Sequence, residues 1–116
     1  MTPESRIQNE IMLALSEAGC VVWRQNTGLA WVGQAFDLKQ GGVMIQNPRR
    51  LHAGLCVGSS DIVGIAPGGK FLAVEVKTKT GRVTKEQQRF IDVVRQYGGI
   101  AGVARTPEEA LSMLDT

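Results

Sequence analysis

Apolar and polar positions along this chain follow two different periods. In "TPESRIQNEIMLALSEAG", residues 2 to 19, Ile7, Ile11, Ala14, Leu15 and Ala18 recur at helical spacing. Thr2 as N-cap, Pro3 at the first helical position and Gly19 beyond the stripe bound a first helix. Glu10 sits at the edge of that stripe and is expected to lean toward the core. "CVVWRQN" reads as a strand. Residues 26 to 57 are broken up by glycines; "GGVMIQNP" fits a strand ending at Pro48, and the rest an extended loop or hairpin. "DIVGIA" and "FLAVEVK" read as two strands joined by the turn "PGGK", which makes an antiparallel hairpin.

The helical period returns after residue 84. Thr84 as N-cap with Gln87 three positions later forms a capping-box pattern, followed by a stripe of Phe90, Val93, Val94 and Tyr97. Gly98 and Gly99 stop this helix, "IAGVA" reads as a short buried strand, and "TPEEALSMLD" as a closing helix capped by Thr106. The order is α-β-β-β-α-β-α, which predicts an α/β (α+β) domain with a mixed central sheet flanked by helices. A length of 116 residues, 43% of them hydrophobic, suits a single domain spanning 1–116.

Composition removes several function classes. No stretch reads as a transmembrane span or a signal peptide, since Glu4, Arg6 and Glu10 interrupt the first turns, and a cytoplasmic location is expected. Cys20 and Cys56 lie in apolar contexts without CxxC spacing, so they read as small buried residues. One histidine and no cysteine cluster leave zinc almost without ligands; a metal here would be a hard, oxygen-ligated ion such as Mg²⁺ or Mn²⁺. No organic cofactor is called for. Net charge is only +2, but Lys77, Lys79, Arg82, Lys85 and Arg89 crowd one segment against the single acid Glu86, and Arg49 and Arg50 form a second cluster. Such patches suit a polyanionic partner such as nucleic acid, or serve as a solubilising surface.

The charges inside the apolar run "FLAVEVK" change the picture most. Side chains two apart on a strand share a face, so Glu75 and Lys77 point one way while Val74 and Val76 point the other. Asp61 opens the partner strand and can be brought beside Glu75. Hydrolysis of a phosphodiester requires a divalent cation held by carboxylates, and a lysine can orient water or offset charge growing on the phosphate. Asp61, Glu75 and the Val76 carbonyl form such a ligand set, which Glu10 can complete from the first helix.

Asp61 followed by Glu75-Val76-Lys77 resembles the PD-(D/E)XK nuclease signature, with Ser60 standing where that signature usually has proline. More specifically, the chain resembles the small stand-alone VRR-NUC domains of phages and bacteria. An early helix with Glu10, "GSSDIVG", "EVKTKTGRVTKEQQ" and the closing glycine pair, apolar strand and "TPEEA" carry the likeness, in that order, over essentially the whole chain. The resemblance implies a restriction-endonuclease-like core with Asp61 and Glu75 as metal-binding carboxylates and Lys77 as the catalytic lysine. Glu10 would join the metal site, and Gln87 would pack against it. It further implies Mg²⁺- or Mn²⁺-dependent cleavage of DNA, often branched DNA such as four-way junctions, by a homodimer.

Each residue also has a plainer role. Glu75 and Lys77 can be a surface pair, although "FLAV" before them argues for a central strand. Gln87 is explained by the capping box alone. Arg24, Asn26 and Gly28 at a strand end, and Arg49, Arg50 and His52 on a loop, suit phosphate contacts. Trp23 and Trp31 can stack on unpaired bases or fill core and interface, and apolar residues in 29–57 offer material for a dimer contact. The alternatives to a nuclease are a non-cleaving DNA-binding module of the same fold and a nuclease subunit that needs a partner protein.

Overall fold

The computed structural model describes residues 2–25, 28–53 and 58–115, with the backbone alone for 28–32 and 50–53. The first helix, α1 (Pro3–Glu17), starts where expected: the Thr2 hydroxyl accepts from the Ser5 amide at 3.1 Å, satisfying one of the orphan donors of the first turn. β1 (Val21–Arg24), β4 (Ile62–Ile65), β5 (Phe71–Val76) and β6 (Ile100–Ala104) build one sheet in the order β1-β4-β5-β6. β4 lies antiparallel to β1 and β5, while β6 runs parallel to β5, its return made through α2 (Lys85–Gln96). α3 (Pro107–Ser112) and a short 3₁₀ turn (Met113–Asp115) close the chain. Among the described residues, no helix is long and apolar enough to cross a membrane.

The α-β-β-β-α-β-α order is thus present as α1, β1, β4, β5, α2, β6 and α3. Two further strands, β2 (Gly28–Asp37) and β3 (Val43–Ala53), are inserted after β1 and form an antiparallel sheet of their own. This corrects the expectation that a strand ends at Pro48, because β3 continues through it to Ala53. Proline is tolerated there because a two-stranded ribbon consists only of edge strands, where a missing amide donor need not face a partner.

Strand alternation sorts the main sheet into two faces. Ile62, Val74, Val76 and Ala104 point to the side covered by α1 and α3, where Ile11, Leu15 and Ala110 meet them. Val63, Ala73 and Ala101 point to the side covered by α2, against Ile91 and Val94. Each fully buried aliphatic side chain contributes roughly 1.5–3 kcal/mol. The stripe of α2 is rotated from the one expected. Gln87, Ile91 and Val94 face inward with Phe90 beside them, while Val93 is 46% and Tyr97 83% exposed. At 100° per residue, Val93 lies about 160° around the helix from Ile91, so one helix cannot bury both.

Candidate active site

The register of β4 and β5 sets two carboxylates side by side. Ile62 pairs with Val74, so Asp61 and Glu75 stand one step further along the same ladder and on the same face, the one under α2. An Asp61 carboxylate oxygen accepts the Val76 amide at 2.9 Å, which ties it across the strand pair. The Asp61 carbonyl accepts from the Gln25 amide at 2.7 Å and holds the end of β1 against the same point.

Glu75 is 2% exposed, in the middle strand of the three that meet here. Its Oε1 accepts from Gln87 Nε2 at 2.7 Å and lies 3.6 Å from the Lys77 ammonium. Its Oε2 is buried without a donor among the described residues. The neighbouring group is the Asp61 carboxyl, which can offer a hydrogen bond only when the pair holds a proton. Burial accordingly pushes the Glu75 carboxyl up to about 7, the Asp61 charge adds to the rise, and the Lys77 ammonium offsets part of it. A carboxylate pair in this state lacks positive charge.

Gln87 has two roles at once. Its side-chain carbonyl accepts from the Thr84 amide at 2.9 Å while Thr84 Oγ1 accepts from the Gln87 amide, completing the capping box. Its amide nitrogen is then left pointing at Glu75. Gly58 brings the approach to Asp61 directly onto this helix: with φ at +87°, a Cβ there would meet the Glu86 carbonyl oxygen at 2.5 Å. Between them Ser59 and Ser60 are buried, their hydroxyls without partners among the described residues.

Arg105 was not singled out by its residue type, yet it braces the site. Its guanidinium Nη1 donates to the Thr78 carbonyl at 2.8 Å and the Gly81 carbonyl at 3.0 Å, pinning the loop that follows Lys77. The signal was available in the parallel pairing of "FLAVEV" with "IAGVA": Val76 opposite Ala104 puts Arg105 beside Lys77. Lys79, Arg82 and Lys85 are exposed along this loop and the first turn of α2.

The remaining candidates are scattered. Glu10 is exposed rather than leaning toward the core, because it lies about 100° around α1 from Ile11. α1 also packs on the sheet face opposite Glu75. Among the described residues, no group of three or more His, Cys, Asp or Glu side chains could hold a metal ion. Arg24 pairs with Ile62 and so points to the α1 side, where its guanidinium donates to Asn9 Oδ1. Trp23 points to the α2 side and is 47% exposed. Arg49 is exposed on β3 beside an open groove lined by Gln34, Gln46 and Asn47. Arg50 and His52 lie in β3 opposite Trp31 and Leu29 in β2. Asn26 and Cys56 fall outside the described residues.

A mixed sheet with an acid pair and a lysine at its centre, under the N-terminus of a helix, is the arrangement of a nuclease-type domain. The family model for the VRR-NUC domain matches residues 2–107, and the chain belongs to that family. A solved structure described as a VRR_NUC domain shares its fold, with a TM-score of 0.61 at 17% identity over 99% of this chain and 97% of that one. Comparison with curated proteins finds no match.

Proposed function

We propose that this chain is a Mg²⁺- or Mn²⁺-dependent endodeoxyribonuclease. The observation that carries the reading is the buried Glu75 carboxyl, with one oxygen lacking a donor, beside Asp61 and within reach of Lys77. Two carboxylates with surplus negative charge and a half-satisfied acceptor fit a hard divalent cation. Asp61, Glu75 and the Val76 carbonyl would hold it, with water and phosphate oxygens filling the other positions; Glu10 would reach the site only through water. When bound, the cation supplies charge to the phosphoryl oxygens and lowers the pKa of a water.

The protein groups do the positioning. Gln87 fixes the plane of the Glu75 carboxylate, and the Val76 amide fixes that of Asp61. The Lys77 ammonium, drawn to Glu75, stands where it can donate to a phosphate oxygen as charge grows there. The attacking water gives up a proton to solvent as its oxygen bonds to phosphorus, the bond to the leaving sugar oxygen breaks, and that oxygen takes up a proton from solvent. Lys79, Arg82 and Lys85 border the site, with Arg49 and Arg50 on the ribbon, and these would hold the DNA backbone.

Cutting both strands of a duplex or junction takes two sites, which a two-fold homodimer supplies. A four-way junction has matching approximate symmetry and is the preferred substrate in this reading, met in the cytoplasm of a bacterial or phage-infected cell. A plasmid-nicking and junction-cleavage assay with Mg²⁺, Mn²⁺ or EDTA tests the proposal. Cleavage with either metal and none in EDTA is expected. Binding without cleavage under every metal condition would overturn it in favour of a DNA-binding module, unless a partner protein restores cutting.

A further inference from the structure

The sheet face that carries Asp61 and Glu75 also carries an aromatic side chain that the proposed chemistry leaves unused. Trp23 pairs with Val63, so it points to the α2 side, and Asp61 lies diagonally across from it on β4. At such a diagonal the Cβ atoms are about 7–8 Å apart, within reach of an indole. The Gln25 amide donates to the Asp61 carbonyl at 2.7 Å, which locks the end of β1 at the level of the acid pair. α2 covers Val63, Ala73 and Ala101, while Trp23, out on the edge strand, is left 47% exposed.

Position separates Trp23 from the other exposed aromatic side chains among the described residues. Phe36 belongs to the ribbon, a sheet of its own. Phe71 lies four residues before Glu75, roughly 13 Å away along β5, and Tyr97 lines a groove with it at that far end. Charge narrows what can rest on the indole. Asp61 stands on its own face, whereas its neighbour Arg24 faces α1 and donates to Asn9. An anionic group laid on the indole would meet the acid, and a flat, neutral ring would not.

We propose that Trp23 stacks on an unpaired nucleobase of the DNA, beside the phosphate held at Asp61 and Glu75, and so selects substrates that offer one there. The inference rests on DNA being the substrate, as proposed above, and names the residue that senses its structure. Inside a duplex each base is already stacked on both faces, so a surface indole meets only sugar and phosphate. An unpaired base presents a free face, neutral and flat whatever its identity, and stacking on an aromatic side chain is tolerant of sequence. The diagonal from Asp61 to Trp23 is within the span of a single nucleotide. A strand whose phosphate lies at the acid pair therefore has its own or the adjoining base at the indole. Trp23 holds and places the strand, so its contribution belongs to KM more than to kcat, and the chemical step stays with the acid pair and Lys77.

Trp23→Phe keeps a ring and Trp23→Leu keeps only apolar bulk over Val63, with circular dichroism confirming that each folds. Cleavage of a duplex carrying a short central run of unpaired thymines is compared with cleavage of the same duplex fully paired. Trp23→Leu should lower the preference for the unpaired substrate by roughly ten- to a hundredfold, mainly in KM, and Trp23→Phe should restore most of it. Tyr97→Leu should leave the preference unchanged. A second measurement does not depend on turnover: Glu75→Gln combined with Trp31→Phe suppresses cleavage and leaves Trp23 as the only indole. Its fluorescence should be quenched by the duplex with unpaired thymines and much less by the paired one. A wild type without the preference, equal losses on both substrates in Trp23→Leu, or saturated binding without selective quenching would overturn the inference and return Trp23 to packing. Selective quenching with no cleavage by wild type under any metal would overturn the nuclease reading alone. No DNA binding at all would overturn both.

Discussion

β4–β5 and β2–β3 are both antiparallel hairpins closed by glycine-containing turns, yet they have opposite fates. The first is short, four residues against six, and five of the six in β5 are buried. The second is ten against eleven residues, and its described side chains are largely exposed. The same pairing rules make both, so pairing does not explain reactivity. What differs is the surroundings. A carboxyl inserted into the short hairpin loses its water and titrates near neutrality, whereas Arg49 on the long one keeps its water. The enclosed hairpin holds the acid pair and the lysine of the proposed chemistry, and the open one carries the exposed Arg49.

The largest effects should separate those roles. Glu75→Ala and Lys77→Ala should each lower turnover by about a thousandfold, roughly 4 kcal/mol of barrier, with circular dichroism unchanged. Arg49→Ala should leave turnover at saturating DNA intact and lower the salt slope of binding by roughly one. Steady-state cleavage and binding titrations at several salt concentrations measure both. A turnover loss in Arg49→Ala as deep as in Lys77→Ala would erase the division between the hairpins.

Glycines sharpen the comparison through stability. In the short hairpin, a Cβ on Gly64 would lie 2.1 Å from the Val21 carbonyl oxygen; in the long one, a Cβ on Gly33 would lie 2.6 Å from the Gln46 carbonyl oxygen. Both clash with backbone, but only Gly64 sits inside the sheet that holds the core. Gly64→Ala should cost about 3 kcal/mol or more in denaturant unfolding. Gly33→Ala should distort the ribbon while leaving the main transition of the core within about 1 kcal/mol, unless the ribbon is secured in a dimer. Equal losses at low concentration would mean that the two hairpins unfold as one unit.

The third effect is a pH dependence confined to the enclosed hairpin. Glu75 titrates near 7 in the folded chain against an ordinary 4.5, so between those values the folded state holds a proton that the unfolded state has released. Metal-free stability should therefore fall as pH rises from about 4.5 to about 7 and level off above, by on the order of 2–3 kcal/mol. Glu75→Gln should remove this slope and be the more stable protein at pH 8. Saturating Mg²⁺ should flatten the wild-type curve by supplying the missing charge. Urea unfolding across pH 4–9 decides the matter, and a metal-free curve that rises with pH would contradict a buried, charge-starved carboxyl.

Much of the enclosed hairpin was legible in the residues. Alternation in "FLAVEVK" put Glu75 and Lys77 on one face, and the "PGGK" turn put Asp61 opposite, because a tight turn fixes the register. The ribbon was less legible: with apolar residues on both faces, β2 and β3 lack a clean alternating pattern, and Pro48 read as a strand end. Glu10 was misjudged because its spacing from Ile7 and Ala14 was weighed without its angle from Ile11 and Leu15, the residues that set the inward line. The α2 stripe was misjudged by leaving out Ile91, and with it went the fact that Gln87 shares the buried side.

That fact leads to the smallest and most discriminating expectation, because Gln87 caps α2 and contacts Glu75 with opposite ends of one amide. Thr84→Ala removes the hydroxyl half of the cap and leaves the amide nitrogen at Glu75, so it should cost about 1 kcal/mol of stability with turnover changed only a few-fold. Gln87→Glu keeps an acceptor for the Thr84 amide, as a capping box allows, but replaces the donor at Glu75 with another carboxyl. It should unfold much like wild type near pH 5, where the added acid repels least, and still lose tenfold or more in turnover. Gln87→Ala should combine both losses. Paired melting and cleavage measurements on the three variants separate the two ends of the side chain. Normal turnover in Gln87→Glu would reduce Gln87 to a cap and leave Glu75 oriented by Lys77 alone.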